Sequence, residues 1–281
     1  MSVTPQEEIA AGERFAFGEN WRRFLATLNE NRILGAKDSL CRMLDVSDLQ
    51  GKTFLDAGCG SGLFSLVARR LGARVHSFDY DPQSVACAAQ LRERYFPQDI
   101  GWIVEQGSVL DTAYLSRLGC FDIVYSWGVL HHTGAMWQAL DNAGGLVAPE
   151  GKLFIAIYND QAKISNRWRA VKRTYNRLPS GFRFVVTFPV LVHLHWRSVV
   201  KDFLRLRPFE TWRNIGKERG MTAWRDLIDW VGGYPFEVAK PEVILDFYRE
   251  RGFILTRLIT CGGSLGCNEF VFRRVPPGSL P

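Results

Sequence analysis

The 281-residue sequence lacks the marks of metal-bound, disulfide-rich and membrane-spanning proteins. None of its 6 cysteines forms a C-x-x-C pair or a spacing typical of zinc ligands, so we predict free thiols in a reducing compartment and no metal site. The longest apolar run, Phe184 to Leu194, is interrupted by Pro189 and His193 and is far shorter than the ~20 residues that cross a bilayer. Residues 1–20 contain acids and no apolar core, so we expect no secretory signal and a cytoplasmic protein.

The composition is that of an ordinary globular protein with surplus positive charge. Hydrophobic residues make up 47% of the chain and charged residues 23%. Apart from a short Pro/Gly tail at 276–281, the sequence contains neither a repeat nor a low-complexity tract. The formal net charge is +6, which favours an anionic partner or a membrane surface. The length suits one α/β domain that carries an insertion.

Hydrophobic periodicity divides the chain into four parts. Residues 1–50 are predicted to form a helical cover, and residues 51–158 alternate strands and helices in the rhythm of a doubly wound, mostly parallel sheet. Residues 159–240 form a basic, aromatic-rich helical insertion, and residues 241–281 complete the core with a helix and two strands. The predicted strands are Thr53–Leu55, Arg74–Phe78, Trp102–Gln106, Phe121–Ser126, Lys152–Tyr158, Ile254–Thr260 and Asn268–Arg274. The predicted helices of these α/β parts are Gly62–Leu71, Pro82–Tyr95, Met136–Leu146 and Pro241–Arg251.

A glycine-rich turn after the first predicted strand is the strongest signal in the sequence. Asp56 is followed by Gly58, Gly60 and Gly62, and a helix begins at once. Glycines at such a turn let the backbone approach a ligand closely. Dinucleotide-binding enzymes use a related turn with the spacing G-x-G-x-x-G, which differs from G-x-G-x-G. A carboxylate at Asp56 would repel a pyrophosphate and attract a sulfonium or ammonium group, so the turn favours a cationic ligand.

A second acid, Asp79, ends the next predicted strand. It lies 23 residues after Asp56, at a position where a carboxylate can bind both hydroxyls of a ribose. A solvated loop acid is the alternative interpretation. The following Asp81 and Pro82 fit an N-cap and a first helical position, so Asp81 is predicted to be structural.

Four motifs in this order resemble a class I S-adenosylmethionine-dependent methyltransferase of small-molecule type, similar to the ubiquinone-biosynthesis O-methyltransferase group. They are D-x-G-C-G-S-G from Asp56, the acid at Asp79, Gly107-Ser108 after the third strand, and the segment Phe121–His132. The resemblance covers roughly residues 50–158 and, more weakly, residues 241–274. It implies a Rossmann-like sheet that ends in a C-terminal antiparallel hairpin, and it implies S-adenosylmethionine as the cofactor.

The resemblance also implies which residues bind the donor. Gly58 and Gly60 would approach its methionine part, Asp79 its ribose and Tyr80 its adenine. Ser108 is a departure, because many family members carry an Asp there that accepts the adenine amino group. The complete predicted set is Trp21, Asp56, Gly58, Gly60, Gly62, Asp79, Tyr80, Ser108 and Ser126.

Two members of this set lie outside the glycine turn and its neighbouring strand. Ser126 would act through its backbone carbonyl on the donor's amino group, as the family uses that position. Trp21, with Phe17, is predicted to fold over the donor as a cover, and a plain core helix is the alternative.

Two histidines follow the fourth strand, where the donor's methyl group should emerge. His131 or His132 would serve as a base toward a phenol or similar hydroxyl, and a structural histidine at a helix start is the alternative. Tyr158 and Asn159 close the fifth strand at the same rim and are predicted to line the acceptor side. The N-P-P-Y and Pro-Cys motifs of base-modifying members are missing, which counts against methylation of a nucleic-acid base.

Two further acids are assigned to the acceptor side. Asp226 and Asp229 are three residues apart, so on a helix they share a face that could position a hydroxyl or an amine. Pairing with Arg219 or Arg225, as part of a lid, is the alternative.

The insertion is strongly basic. Between residues 161 and 225 the sequence has 15 Lys and Arg against 3 acids. A solvated charged face, a membrane-surface helix pair around the apolar segment Phe182–Trp196, and a nucleic-acid patch are the three interpretations. Since no recognised nucleic-acid module accompanies the insertion, a nucleic-acid partner is the least favoured, and a peripheral membrane contact would suit a lipophilic acceptor.

The sequence as a whole predicts an enzyme that methylates an oxygen, or secondarily a nitrogen, of a small metabolite. A dinucleotide-dependent oxidoreductase and a non-catalytic protein that binds S-adenosylmethionine are the two alternatives.

Overall fold

A seven-stranded sheet forms the centre of the computed structural model, which describes residues 4–204, 228 and 230–276. The strand order is β3-β2-β1-β4-β5-β7-β6. The first five strands pair in parallel, and β7 runs antiparallel between β5 and β6. The strands are β1 Thr53–Ala57, β2 Arg74–Asp79, β3 Trp102–Gln106, β4 Phe121–Trp127, β5 Val147–Tyr158, β6 Phe253–Ile259 and β7 Cys267–Arg274. The predicted α/β, doubly wound sheet with a C-terminal antiparallel hairpin is confirmed.

Helices precede the sheet, connect its strands and make up much of the described part of the insertion. They are α1 Pro5–Ala10, α2 Phe17–Leu25, α3 Glu30–Leu44, α4 Leu63–Arg70, α5 Pro82–Tyr95, α6 Thr112–Leu115, α7 Met136–Gly145, α8 Lys163–Arg177, α9 Phe184–Leu204 and α10 Pro241–Arg249. Two short 3₁₀ turns occur at Leu130–His132 and Ser180–Phe182.

Both faces of the sheet are buried, as parallel strands require. Phe54 and Tyr125 pack toward the cluster that contains the buried residues of α3, α4 and α5. Leu55 and Val124 belong to the opposite cluster, which contains the buried residues of α7 and α10. This alternation of neighbouring residues between two apolar layers explains why the strands read as continuous hydrophobic runs.

The chain reverses its winding direction between β1 and β4. β1 pairs with β2 on one side and with β4 on the other, so the carboxyl ends of β1 and β4 flank a crevice. Ligands of doubly wound sheets bind outside the strand ends at such a switch point. The glycine turn follows β1, and the two histidines follow β4, so the fold brings both motifs to this edge.

A third cluster joins the N-terminal segment to the insertion. Phe15 shares this cluster with Trp168 and Tyr175 of α8, and with Val231 and Phe236 near the end of the insertion. Across the described residues, every helix is too short or too polar to traverse a lipid bilayer.

Candidate functional site

The glycine turn adopts a backbone conformation that side chains rarely tolerate. The φ angles of Gly58, Gly60 and Gly62 are 83°, 53° and 78°. A Cβ on Gly58 would come within 2.3 Å of Val129, and one on Gly60 within 2.9 Å of the Trp21 ring. These two glycines therefore form a cradle that a Cβ would fill.

Gly62 has a different reason to be glycine. It is the N-cap of α4, and a Cβ there would lie 2.8 Å from the backbone of Ala88 in α5. Close packing of the two helices accounts for the residue, so its predicted contact with a ligand stays a prediction.

Asp79 is held against the glycine turn by two backbone amides. Its carboxylate accepts hydrogen bonds from the Gly60 N–H and the Asp81 N–H, both at 2.9 Å. Burial raises the pKa of Asp79 to about 6, although both backbone bonds act to lower it. The carboxyl group is only partly covered, and it stands at the end of β2 beside the crevice. The structure thus brings Asp79, Gly58 and Gly60 together.

The carboxyl group of Asp56 lies in the interior. It accepts a hydrogen bond from the Ser65 hydroxyl at 2.5 Å, Ser77 donates to Ser65 at 2.7 Å, and the Trp102 indole donates to Ser77 at 2.8 Å. Burial raises the pKa of Asp56 to about 7. This chain of bonds ties β1 to α4, β2 and β3, so the structure gives the side chain an interior contact. Its predicted attraction for a cationic ligand stays a prediction.

Helix α2 and the segment before it cover the crevice. Trp21 lies over Gly60, and the Gly18 N–H donates to the Asp81 carboxylate at 2.9 Å. Besides this bond, Asp81 caps α5 through the Gln83 N–H at 2.9 Å, in line with its predicted structural role. Trp21 was predicted from the sequence to be part of this cover.

Arg14 and Phe17 extend the same cover toward the second half of the site. The Arg14 guanidinium lies 4.7 Å from the centre of the Tyr80 ring and donates to the His132 carbonyl at 3.2 Å. The Phe17 ring is 5.0 Å from the His132 ring. Sequence reasoning missed Arg14, because an arginine before a helix carries no local signal of a contact 118 residues away.

The two predicted serines make internal hydrogen bonds. The Ser126 hydroxyl is buried and donates to the Ala57 carbonyl at 2.7 Å, which fastens β4 to β1 just before the glycine turn. The Ser108 hydroxyl accepts from the Leu110 N–H at 3.2 Å. Gly107 donates to the Asp79 carbonyl at 3.0 Å, so Ser108 follows a residue bonded to the end of β2. Their predicted contacts with a donor stay predictions.

His131 and His132 are both buried, in different surroundings. His132 Nδ1 lies 2.6 Å from the Pro235 carbonyl oxygen, and burial lowers the pKa of His132 to about 3. Neither ring nitrogen of His131 has a hydrogen-bond partner of good geometry among the described residues, although the Ala156 backbone lies close enough to raise its pKa slightly. Burial outweighs this effect and holds the pKa of His131 well below its usual range. Both rings are therefore neutral at pH 7, and His131 has hydrogen-bonding capacity for a further group.

Tyr158 lies at the centre of an aromatic cluster beside these histidines. Its ring centre is 4.1 Å from that of His131, 5.5 Å from that of Trp230 and 5.2 Å from that of Phe236. The structure therefore joins Tyr158 to the two histidines as the sequence predicted. It lies on the β5 side of the crevice.

Asn159 is turned away from this cluster. Its amide oxygen accepts from Asn268 at 3.1 Å, and its backbone N–H donates to the Gly266 carbonyl at 2.9 Å. These bonds attach the end of β5 to the β6–β7 hairpin, so the structure does not bring Asn159 together with the other predicted acceptor residues. The other two of these, Asp226 and Asp229, lie outside the described residues.

Lys172 is a residue that sequence reasoning missed. It is fully buried in α8, donates to the Trp230 carbonyl, and its ammonium lies 4.4 Å from the Trp230 ring centre and 4.8 Å from that of Phe236. A lysine in a basic helix is normally read as solvated. The available signal was its spacing from Trp168 and Tyr175, which places all three on the inner face of α8.

Among known protein families, the one described as "Methyltransferase domain" matches residues 55–155 of this chain. The chain is 30% identical to the ubiquinone biosynthesis O-methyltransferase of Methylocella silvestris, with 58% of this chain and 66% of that protein aligned. It is 31% identical to the protein of the same name from Methylobacterium sp., over 54% and 63% of the two chains. The chain thus spans just under two thirds of the length of these relatives.

Solved structures share the fold at low sequence identity. The magnesium protoporphyrin IX methyltransferase from Synechocystis, solved with bound SAH, superposes with a TM-score of 0.55 at 14% identity, over 95% of this chain and 99% of that one. An O-methyltransferase family protein from Burkholderia thailandensis superposes with a TM-score of 0.56 at 13% identity, over 99% and 64% of the two chains.

Proposed function

We propose that this chain, whose residues 55–155 match the family described as "Methyltransferase domain", transfers a methyl group from S-adenosylmethionine to a small-molecule acceptor. The observation that carries the proposal is the bond between the Gly60 amide and the Asp79 carboxylate at 2.9 Å. It sets a ribose-binding acid beside a glycine cradle at the switch point of the sheet. The relatives' names favour oxygen as the methylated atom, with nitrogen as the second choice.

The residues at the crevice fit this donor. Gly58 and Gly60, where a Cβ would clash with Val129 and Trp21, would let the backbone approach its methionine part. Asp79 would hold its ribose, and Tyr80 would pack on its adenine. Trp21 would close over the ligand from α2, since the ring already lies on Gly60. When bound, S-adenosylmethionine supplies a methyl group on a cationic sulfur, which is activated for in-line displacement.

The chain's own contribution is alignment and exclusion of water. Orientation of two reactants can lower a barrier by roughly 7–11 kcal/mol. The cover made by Arg14, Phe17 and Trp21 closes the crevice from the N-terminal side, and Ser126 fixes β4 against β1 at the level of the turn. We propose that the insertion, residues 159–240, closes it from the acceptor side.

His131 is the better of the two histidines for contact with the acceptor. Its ring nitrogens are without partners among the described residues, whereas His132 is engaged by Pro235 at 2.6 Å. A neutral imidazole at His131 would accept a hydrogen bond from the acceptor's hydroxyl and orient its oxygen toward the methyl group. The rings of Tyr158, Trp230 and Phe236 would give that acceptor an apolar, aromatic-lined site.

A labelled-donor screen tests the proposal. Purified protein is mixed with a small-molecule extract and S-adenosylmethionine that carries a deuterated methyl group, and the products are identified by mass spectrometry. We expect one compound class to gain the labelled methyl on oxygen, and the Asp79→Asn variant to abolish most of the gain. Binding of S-adenosylhomocysteine without labelled product from extracts, phenols or amines would contradict catalysis and favour a donor-binding protein.

A further inference from the structure

Helix α9 presents an apolar face to solvent. Val186, Val190 and Leu194 point inward and pack in the cluster that joins the N-terminal segment to the insertion. The opposite face and the turn before it remain exposed by about half or more. These outward residues are Phe182 at 58%, Phe184 at 62%, Val185 at 55%, Phe188 at 63% and Val192 at 48%. We call them the α9 apolar face.

Within the part of the chain that the structure describes, these apolar side chains stay largely exposed. From Phe184 to Trp196 the helix has no Lys, Arg, Asp or Glu. A helix that is apolar on all sides is normally buried on all sides, and contiguous exposed apolar patches mark interaction surfaces. The stretch of 13 residues is about 20 Å long, against the ~30 Å of a bilayer's hydrocarbon core, so it is suited to lie along a surface and not to cross one.

The neighbouring helix has the opposite character. α8 packs against α9 and carries six cations and no acid along its 15 residues. Five of these cations are exposed, namely Lys163, Arg167, Arg169, Arg173 and Arg177; of these, Arg169 bonds to the Phe236 carbonyl and Arg177 pairs with Glu13. An apolar helix face beside a purely basic helix matches the two components that bind an anionic bilayer, namely acyl chains and headgroup phosphates.

A second copy of the chain fits this face less well. Pairing two α9 faces would bring the two basic α8 helices near each other, and each chain has a formal charge of +6. Like-charge repulsion opposes such a dimer, whereas an anionic bilayer supplies the complementary charge.

We propose that the α9 apolar face inserts into the headgroup region of an anionic lipid bilayer while α8 contacts the headgroups. The inference is independent of the methyl transfer proposed above. It assigns a lipid surface as the partner of the insertion. The interaction is peripheral, and it places the aromatic cluster of Tyr158, Trp230 and Phe236 close to a lipid phase.

Co-sedimentation with vesicles tests this proposal without any activity measurement. The full chain is mixed at low salt with vesicles of equal parts phosphatidylglycerol and phosphatidylcholine, and separately with pure phosphatidylcholine vesicles. We expect sedimentation with the anionic vesicles, and an affinity about tenfold lower for Phe184→Gln/Phe188→Gln. Ile100→Gln/Ile103→Gln removes two exposed apolar residues near β3, 97% and 50% exposed, and should bind as the wild type does.

The charge component has its own variant. Arg167→Gln/Arg173→Gln should weaken binding about tenfold or more, because each cation near an anionic surface contributes roughly fivefold in affinity. Binding by the wild type should also fall with added salt, which keeps the proposal testable if a variant fails to fold. The proposal is overturned if the wild type ignores anionic vesicles, or if the phenylalanine variant binds them as tightly. A dimer that only this variant dissociates would assign the face to a second copy.

Discussion

At the scale of single residues, the donor side of the site was predictable and the acceptor side was less so. The glycine turn and Asp79 follow from local rules, because a positive φ selects glycine and a strand end fixes where the carboxylate stands. Lys172 was missed because its burial depends on contacts with Trp230, 58 residues away, and only its spacing from Trp168 and Tyr175 hinted at an inward position. The prediction that Asp56 attracts a cationic ligand did not foresee its bond to Ser65. The sequence alone does not show whether an acid before a turn is exposed or buried.

Asp79→Asn tests whether Asp79 is the ribose-binding acid, as proposed. The substitution keeps the side chain's shape, but it removes the charge and one of the two acceptors that hold Gly60 and Asp81. We expect the affinity for S-adenosylhomocysteine to fall about 10- to 100-fold, as for loss of a charged hydrogen bond of ~1.5–3 kcal/mol. Calorimetric titration measures it. Asp246→Asn, which removes an exposed ion pair with Arg249, is the control, and an equal loss in both would refute the assignment.

Asp56→Asn should change how stability depends on pH. In the folded chain burial raises the pKa of Asp56 to about 7 from a usual 3.8, so unfolding releases a proton between about pH 4 and pH 7. The free energy of unfolding therefore falls as the pH rises through this window, by about 1.4 kcal/mol for each unit of the pKa difference. The buried histidines, whose pKa values are lowered, act in the opposite direction, so the variant is compared with the wild type at each pH.

Thermal or urea unfolding at several pH values checks this difference. The stability of Asp56→Asn relative to the wild type should increase from about pH 4 to about pH 7 and level off above it, while the bond to Ser65 is retained by the amide oxygen. A difference that stays constant with pH would show that Asp56 is ionised normally in the folded chain.

His131→Asn should lower turnover without weakening donor binding. We expect kcat to fall about 10- to 100-fold, since general acid–base and positioning groups contribute at least this much. Because burial lowers the pKa of His131, the acidic limb of the wild-type kcat profile should lie below pH 6.5. His132→Asn should instead lower thermal stability, because it loses the bond to Pro235. Unchanged kcat in His131→Asn, or an acidic limb above pH 6.5, would remove His131 from the reaction.

At the scale of helices and strands, hydrophobic periodicity predicted the positions of most core helices and strands, with bounds close to those in the structure. The helix predicted at Pro82–Tyr95 has these bounds in the structure, because Asp81 and Pro82 mark its start. β5 begins at Val147, five residues before the predicted Lys152, since the added segment contains Pro149, Glu150 and Gly151, which do not read as a strand. The short helix α6 was missed because four residues give too little periodicity.

Trp21→Ala tests the role of α2 as a cover. The ring lies over Gly60, so its removal should uncover the donor and weaken the binding of S-adenosylhomocysteine about tenfold, mainly through faster dissociation. Stopped-flow dissociation kinetics measure the rate. Trp137→Ala is the matched control, because that ring is 42% exposed and packs on Phe247 away from the glycine turn. Equal rates in the wild type and Trp21→Ala would leave α2 as an ordinary packing helix.

At the scale of the whole molecule, the described residues proposed to take part in the reaction lie at one edge of the sheet. The switch between β1 and β4 positions the glycine cradle and the histidines, and the ends of β2 and β5 add Asp79 and Tyr158. The strand order could be expected from the family resemblance. The contacts that residues 14–21 and the insertion make over this edge could not be predicted, because they join segments more than 100 residues apart.

The central claim is that the crevice beside Gly58 and Gly60 binds an adenosyl-sulfonium donor. Calorimetric titration of the wild-type chain with S-adenosylmethionine, S-adenosylhomocysteine and NAD(H) tests it most directly. The account predicts one site per chain for each adenosyl-sulfur compound and none for NAD(H). Occupancy by NAD(H) together with indifference to both sulfur compounds would contradict it.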